Sequence, residues 1–350
     1  MKTIHVTASK EYDVKIGSGL LTSLGIELAS ICKVGTAAII SDSNVWPLYG
    51  EAATAALESA GYRVVNYVFP AGEARKNGAT YLSILNFLAQ NHITRSDCIV
   101  ALGGGVVGDI SGFAAATFQR GIAYIQVPTT LLAAVDSSVG GKTAIDLEAG
   151  KNLAGAFYQP RLVLCDTDLL RTLPADIFRD GCAEIIKYGI LYDEMLFSTL
   201  MNDGLNFDRE SVIARCVELK RDVVSRDEFD TGERQKLNLG HTIGHAVEAS
   251  SNFTVSHGQA VAIGMAIVAS AAAKYGICSA DTQTQILSIL AKYQLPSTTN
   301  HTARQLFETA LSDKKRLGGS VTLVLPERIG SCILRSTPVE ELEDFIKAGL

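Results

Sequence analysis

Hydrophobic and polar positions change their period about halfway along the chain. In the first half, short and nearly unbroken apolar runs recur at Thr36–Ser41 (TAAIIS), Tyr62–Phe69 (YRVVNYVF), Cys98–Leu102 (CIVAL), Tyr124–Val127 (YIQV) and Leu162–Cys165 (LVLC). Such runs predict strands buried on both faces of a mostly parallel sheet. Between them, Tyr49–Ala60 and Ala79–Gln90 repeat apolar positions at helical spacing. The N-terminal MKTIHVTASKEYDVKIG alternates apolar and polar residues and predicts a strand rather than a signal peptide. From about Pro174 onward helical spacing takes over, at Cys182–Tyr192, Glu210–Val224, Arg234–Ala249, Gly258–Ala273, Thr282–Tyr293 and Ala303–Leu311. A β-type pair, Val321–Leu325 and Ser331–Leu334, and an amphipathic helix from Val339 complete the pattern. The turn-rich stretch DTDLLRTLPAD marks the change. The expected fold is an α/β N-terminal domain with a mostly parallel sheet, residues 1–175, followed by a mainly α-helical domain, residues 176–350. Two such domains leave a cleft, a usual place for a ligand.

Composition agrees with two domains, since 350 residues divide by a prior of about 150 per domain. With 47% hydrophobic and 19% charged residues the chain can bury large cores without staples. Thirty-one bases against 37 acids leave −6, which speaks against a nucleic-acid partner and leaves a small anionic ligand open. Seven scattered cysteines without a CxxC pair read as buried thiols in a reducing, cytoplasmic setting. The most apolar stretch, Ala260–Ala273, is too short for a bilayer and carries Gly264 as an interruption, so no membrane partner is expected.

Candidate chemistry starts where CIVAL runs into Gly103-Gly104-Gly105-Val106-Val107-Gly108-Asp109 ahead of a helical segment. Glycines there let backbone amides approach a pyrophosphate at a helix N-terminus. The loop lies far from the N-terminus, and no acid ends the next strand, which runs into Pro128-Thr129-Thr130. Asp42, ending an earlier strand, is the acid that could hold a ribose. A tight turn without a ligand is the alternative.

Three of the six histidines, His241, His245 and His257, fall close together. His241 and His245 stand at i and i+4 on one helix face, a spacing able to hold one metal, with Glu248 as a third ligand or an outer partner. Satisfied polar groups at a helix interface are the alternative. Glu184 sits in an otherwise apolar helical segment, where a lone charge is costly unless paired or coordinated. Lys187 follows by one turn, so a local ion pair is equally open. Lys142, Lys151, Asn152, Lys220, Arg234, Asn238, Lys314 and Lys315 flank glycines or apolar stretches and would suit a ligand bearing both phosphate and carboxylate.

Together GGGVVGDISGFAAATFQRG, VPTTLLAAVDSSVGGKTAID, GKNLAGAFYQP, LPADIFRDGCAEIIKYGI, LNLGHTIGHAVE and HGQAVAIGM closely resemble the 3-dehydroquinate synthases, a family of sugar phosphate cyclases, over about residues 100–270. The resemblance implies an N-terminal NAD domain, a helical metal-binding domain and a homodimer. It implies one divalent metal, zinc or cobalt, on Glu184, His241 and His257, with His245 kept for proton transfer. Lys187, Asp136 and Asp230 match further catalytic positions, and Lys142, Lys151, Asn152, Lys220, Arg234, Asn238 and Lys314 or Lys315 match substrate positions. Arg120 matches an arginine that reaches the neighbouring subunit's site. NAD contacts are implied at Asp42, Ser43, Asn44, Glu73, Lys76, Gly105, Val106, Val107, Gly108, Asp109, Thr129, Thr130, Lys142, Lys151, Leu169, Leu170, Arg171 and Thr172. Two departures stand out: Gln259 where the family usually has Glu, and Asp230 where the acid is often Glu.

The implied substrate is a phosphorylated sugar acid, 3-deoxy-D-arabino-heptulosonate 7-phosphate. The implied reaction is a transient oxidation by NAD, phosphate elimination, re-reduction and intramolecular aldol closure to 3-dehydroquinate in the shikimate pathway. Rival readings are a metal-dependent polyol or alcohol dehydrogenase, another sugar phosphate cyclase, and a catalytically dead binding protein. GKNLAGAFYQP, AEIIKYG and the Lys220, Arg234 and Asn238 set favour the synthase.

Overall fold

The apolar runs of the first half form strands in the computed structural model, which describes residues 1–252, 254–314 and 319–350, the side chains of 312–314 excepted. In chain order the strands of this half are β1 (Lys2–Val6), β2 (Tyr12–Gly17), β3 (Thr36–Asp42), β4 (Arg63–Phe69), β5 (Cys98–Gly103), β6 (Ala123–Pro128), β7 (Lys142–Leu147), β8 (Gly150–Phe157) and β9 (Leu162–Asp166). The alternating N-terminal segment makes two antiparallel strands, β1 and β2, instead of one, because the polar stretch between them turns the chain back. The main sheet has the order β1-β2-β9-β6-β5-β3-β4 and is parallel from β2 onward.

Successive residues of its strands feed opposite cores, as pleating requires. Ile39, Val100, Ile125 and Leu164 pack with Leu24, Leu28 and Leu57 on one face. Ile40, Ile99 and Tyr124 pack with Ile84, Leu88 and Ile110 on the other. The sheet is therefore covered on both sides, which is why its strands read as continuous apolar runs. After β3 the chain crosses outward to β4 and then returns to β5 on the other side of β3. That reversal puts the carboxyl ends of β3 and β5 side by side, the place where open α/β sheets receive ligands.

Two compact units make up the chain: Met1–Pro174 with Arg209–Phe229, and Ala175–Asp208 with Asp230–Leu350. The helix Arg209–Arg226 thus belongs by its packing to the first unit, an excursion that a single break at residue 175 does not include. The second unit is mainly helical and carries the hairpin β10 (Ser320–Arg328) and β11 (Ser331–Pro338). The segment expected as one helix, Arg234–Ala249, is instead a 3-10 turn at Glu233–Asn238 and a helix at His241–Ser250. Gly240 separates them with φ 78°, a left-handed conformation that suits glycine. Gly264, expected as an interruption, lies inside the continuous helix His257–Lys274. Among the described residues no helix is long and apolar enough to cross a membrane. No disulfide forms among them, and burial pushes the Cys165 and Cys332 thiols up to about 12.

Candidate active site

In the first unit, the glycine loop joins β5 to the helix Gly105–Thr117, which starts earlier than its apolar pattern suggests. The first helical bond of the ladder runs from Gly108 N to Gly104 O, so the amides of Gly105, Val106 and Val107 precede it at the positive end of the helix dipole. A Cβ on Gly108 would lie 2.6 Å from Gln126 Oε1, so this glycine keeps helix and strand in close contact. A Cβ on Gly105 would meet only the Ser137 side chain, at 3.2 Å, a tight contact that a small shift of this hydroxyl would relieve. Thr129 Oγ1 and Ser137 Oγ are buried without a hydrogen-bond partner. Orphaned hydroxyls beside amides at a helix start fit a phosphate-bearing cofactor such as NAD.

Asp42, at the end of β3, accepts with Oδ1 from the amides of Asn44 and Val45 at 2.8 and 3.0 Å. Ser43 and Asn44 are exposed, and Ser43 Oγ accepts from Ala71 N at 3.0 Å. Thr129 and Thr130 follow β6, with Thr129 N donating to Gly103 O at 3.0 Å. Leu169 to Thr172 form a short 3-10 turn bonded to Tyr49, whose hydroxyl donates to Leu169 O at 3.0 Å and lies 2.6 Å from Thr172 Oγ1. Lys76 is buried and bridges Asp109 Oδ2 and Asn152 Oδ1, both at 2.6 Å. Burial alone would lower the Lys76 pKa, yet Asp109 and Glu73 raise it above its ordinary value. Burial pushes the Asp109 carboxyl up while Lys76 resists. Lys151 Nζ lies 3.5 Å from Glu73 Oε1.

The hairpin of β7 and β8, which the sequence pattern misses, carries Lys142, Lys151 and Asn152. Asp146 on β7 ties that hairpin to the Lys76 loop. Its amide donates to Lys76 O at 2.7 Å and its Oδ1 accepts from Asn152 N at 2.8 Å. The sequence signal for Asp146 is its place at the end of KTAID, which no apolar period marks. Asp136 lies in a π-helical turn, Ala133–Ser137, a rare geometry that recurs at functional sites. Lys220 Nζ donates to Asp136 Oδ1 and to its carbonyl, at 2.8 and 2.7 Å. Arg120 is exposed, with φ 68°, and Asn152 and Asp230 likewise have φ 56° and 60°. Asn and Asp adopt this left-handed backbone readily, whereas at Arg120 it is a costlier conformation.

The second unit holds the other group. Glu184 and Lys187 lie inside the helix Ala175–Tyr192 and form an ion pair, with side chains 1% and 2% exposed. His241 opens the helix His241–Ser250 and His257 opens the helix His257–Lys274. Those two helices touch almost backbone to backbone, since a Cβ on Gly264 would lie 2.0 Å from Gly240 O. The result is that Glu184 Oε1 faces His241 Nε2 at 3.5 Å and His257 Nε2 at 3.4 Å. One ligand atom from each of the three lies within 4.8 Å of the others.

The donor chemistry fits a divalent ion: one carboxylate oxygen and two imidazole nitrogens, a set that suits zinc and its neighbours. His241 Nδ1 donates to Leu239 O at 3.1 Å, which leaves Nε2 as the atom that could hold a metal. Burial first and then the nearby Lys187 hold His241 far below the usual histidine range, so it is neutral. Burial works the same way on His257, but Glu184 and Glu248 outweigh it and raise the pKa to about 10. The negative charge that does so is available to a divalent cation.

His245 is exposed on the same helix, with its ring centroid 5.4 Å from that of His241 and 6.1 Å from that of His257. It falls outside the Glu184, His241 and His257 set, and groups with Glu248 and His257 instead. Arg234 is buried and Asn238 exposed in the 3-10 turn before His241. Gln259 donates its backbone amide to Asp180 Oδ1 at 3.0 Å. Lys314 ends the helix Ala303–Lys314 with a side chain outside the description, and Lys315 lies outside the described residues.

Comparison with known proteins places both units of the chain in one family. A family model described as 3-dehydroquinate synthase N-terminal matches residues 66–180, and one described as 3-dehydroquinate synthase C-terminal matches residues 181–316. A 3-dehydroquinate synthase from Pelobacter propionicus is 46% identical over 339 residues, covering 95% of this chain and 94% of that one. Among solved structures, 2-deoxy-scyllo-inosose synthase complexed with carbaglucose-6-phosphate, NAD+ and Co2+ superposes with a TM-score of 0.90 at 26% identity, over 100% of both chains. A 2-epi-5-epi-valiolone synthase from Streptomyces hygroscopicus with NAD+ and Zn2+ bound gives 0.89 at 27% identity, over 98% of both.

Proposed function

The chain belongs to the 3-dehydroquinate synthase family, and from that premise we propose that it is a phosphate-eliminating cyclase, a carbon–oxygen lyase dependent on NAD and one divalent metal. Its substrate is 3-deoxy-D-arabino-heptulosonate 7-phosphate and its products are 3-dehydroquinate and inorganic phosphate. The observation that carries the reading is the buried Glu184 carboxylate set between the Nε2 atoms of His241 and His257, with His245 beside it. When bound, NAD supplies a reversible hydride acceptor and the divalent ion a Lewis acid for the substrate hydroxyls, so the sequence of oxidation, elimination, re-reduction and aldol closure has no net redox change.

The remaining work belongs to the protein's own side chains. Lys142, Lys151 and Asn152 bind the phosphate, Lys220 and Arg234 bind the carboxylate, and Asn238 holds a hydroxyl. Asp136 orients Lys220 through the 2.8 Å contact. Lys187 keeps the Glu184 charge compensated inside the helix bundle, and Asp230 supports the same substrate face. His245, exposed and outside the ligand set, moves the proton of the eliminating step through its imidazole. The Thr129 and Ser137 hydroxyls and the amides of 105–107 hold the NAD pyrophosphate. Arg120, on its strained turn, serves the neighbouring subunit of a homodimer. The enzyme works in the cytoplasm.

The test is an assay with the heptulosonate phosphate, a divalent ion and catalytic NAD. Phosphate and 3-dehydroquinate are expected one for one, without build-up of NADH. Stoichiometric NADH from a simple polyol, with no phosphate released, would overturn the reading in favour of a dehydrogenase.

A further inference from the structure

His257 stands between two carboxylates. Its Nε2 lies 3.4 Å from Glu184 Oε1, and its Nδ1 lies 3.6 Å from Glu248 Oε2. The second distance is that of a charge contact rather than a tight hydrogen bond. Glu248 is 4% exposed, and a carboxylate this deep in a helix interface needs a cation or donors around it. The ring nitrogen facing it can supply one.

A neutral imidazole carries its proton on one nitrogen, and the group next to that nitrogen decides which. With a divalent cation on the Glu184 side displacing the Nε2 proton, the negative charge of Glu248 beside Nδ1 would keep the remaining proton there and hold the Nε2 lone pair toward the cation. His241 reaches the same state by another route, with Leu239 O 3.1 Å from its Nδ1 and Glu184 Oε1 3.5 Å from its Nε2. Both imidazoles of the metal group therefore present Nε2 to one carboxylate and have an acceptor behind them.

The placement of Glu248 follows from helix geometry. It comes two turns after His241 on the helix His241–Ser250, so it shares that residue's face. The close packing at Gly240 and Gly264 brings this face against the first turn of the helix His257–Lys274. Gln259, two residues beyond His257, spends its amide on Asp180, whose carboxylate also accepts from Ser256.

We propose that Glu248 is a positioning residue for the metal group: its buried carboxylate fixes the tautomer and orientation of His257 so that Nε2 faces Glu184. The proposal rests on the metal reading of Glu184, His241 and His257. Loss of the carboxylate lets the His257 ring rotate or take the other tautomer, and removes one negative charge from beside the cation. Outer partners of ligating histidines change metal affinity by about 10–100-fold.

The test uses the full chain stripped of metal and titrated with Zn2+ alone against a chromophoric chelator, with Co2+ absorption as a spectroscopic check. The unaltered chain should bind one equivalent. Glu248→Gln, nearly the same shape, should bind about tenfold more weakly, and Glu248→Ala up to about 100-fold more weakly with a changed Co2+ spectrum. Glu248→Asp should recover part of the loss. The melting temperature of metal-free Glu248→Gln should stay close to that of the unaltered chain, whereas a purely structural glutamate would lower it and leave affinity alone.

Zn2+ affinity within about twofold of the unaltered chain in both Gln and Ala variants would overturn the proposal while leaving the metal reading intact. A second Zn2+ equivalent that disappears with His245→Ala would also overturn it, by making Glu248 a ligand. An unaltered chain that takes up no divalent ion would overturn the metal reading and this proposal together.

Discussion

The two candidate sites are built from opposite materials. In the first unit the candidate cofactor-facing groups of the glycine loop are mostly main chain, at the carboxyl end of β5 and the start of the helix Gly105–Thr117. In the second they are side chains projected from three helices, Glu184, His241 and His257. A site made of amides spreads its binding over many weak donors, and its side chains mostly hold the loops in place, as Asp42 and Asp146 do. A site made of three ligands has no such redundancy. Substitutions should therefore be graded in the first unit and nearly all-or-none in the second.

The largest effect is expected from Glu184→Gln. It takes the negative charge from between the two imidazoles and leaves the buried Lys187 ammonium without its counter-charge. Metal should be absent from the purified protein, and phosphate release should fall by about 10³-fold or more, as loss of several kcal/mol of Lewis-acid stabilisation implies. Retained metal with normal turnover would erase the contrast between the sites.

A smaller effect belongs to the glycine loop. Gly105→Ala adds a methyl whose nearest neighbour is the Ser137 hydroxyl at 3.2 Å, so the fold should accept it. NAD affinity, read by fluorescence titration, should weaken by about tenfold, about 1.4 kcal/mol, with metal content unchanged. Unchanged NAD affinity would make the loop a plain strand-to-helix turn.

The smallest effect on function is expected at Asp97, a structural carboxylate of the first unit. It accepts from Thr36 N at 2.6 Å and from Thr94 N and Oγ1 at 2.7 Å. Burial would raise its pKa, but these hydrogen bonds outweigh it and hold the carboxyl below its usual value. Its contribution is therefore complete above the unfolded value of about 3.9 and is lost as pH falls through the folded one. Asp97→Asn should cost about 1–2 kcal/mol of stability in denaturant melts at neutral pH, and progressively less below about pH 4. Turnover and metal content should not change.

The same contrast governs what was legible in the sequence. The strands buried on both faces announce themselves as apolar runs, so the sheet and its glycine loop could be placed. The hairpin of β7 and β8 escaped because its strands are half exposed and carry Lys142, Asp146, Lys151 and Asn152 among small residues. In the second unit, His241 and His245 declare themselves by helical spacing, but spacing alone makes them a ligand pair. The structure instead sets His241 and His257 against Glu184 and leaves His245 exposed beside them. That choice depends on the left-handed turn at Gly240 and the close helix contact at Gly264, neither of which has a period to read. The link from Glu248 to His257 depends on the same contact.

The most direct measurement is metal content per chain set beside phosphate release for His241→Ala and His245→Ala. His241→Ala should lose both the metal and the turnover. His245→Ala should keep one equivalent of metal and lose turnover by about 10²–10⁴-fold, the usual share of a proton-transfer group. Equal loss of metal in the two variants would contradict the division between a metal-holding trio and a separate proton-transfer histidine.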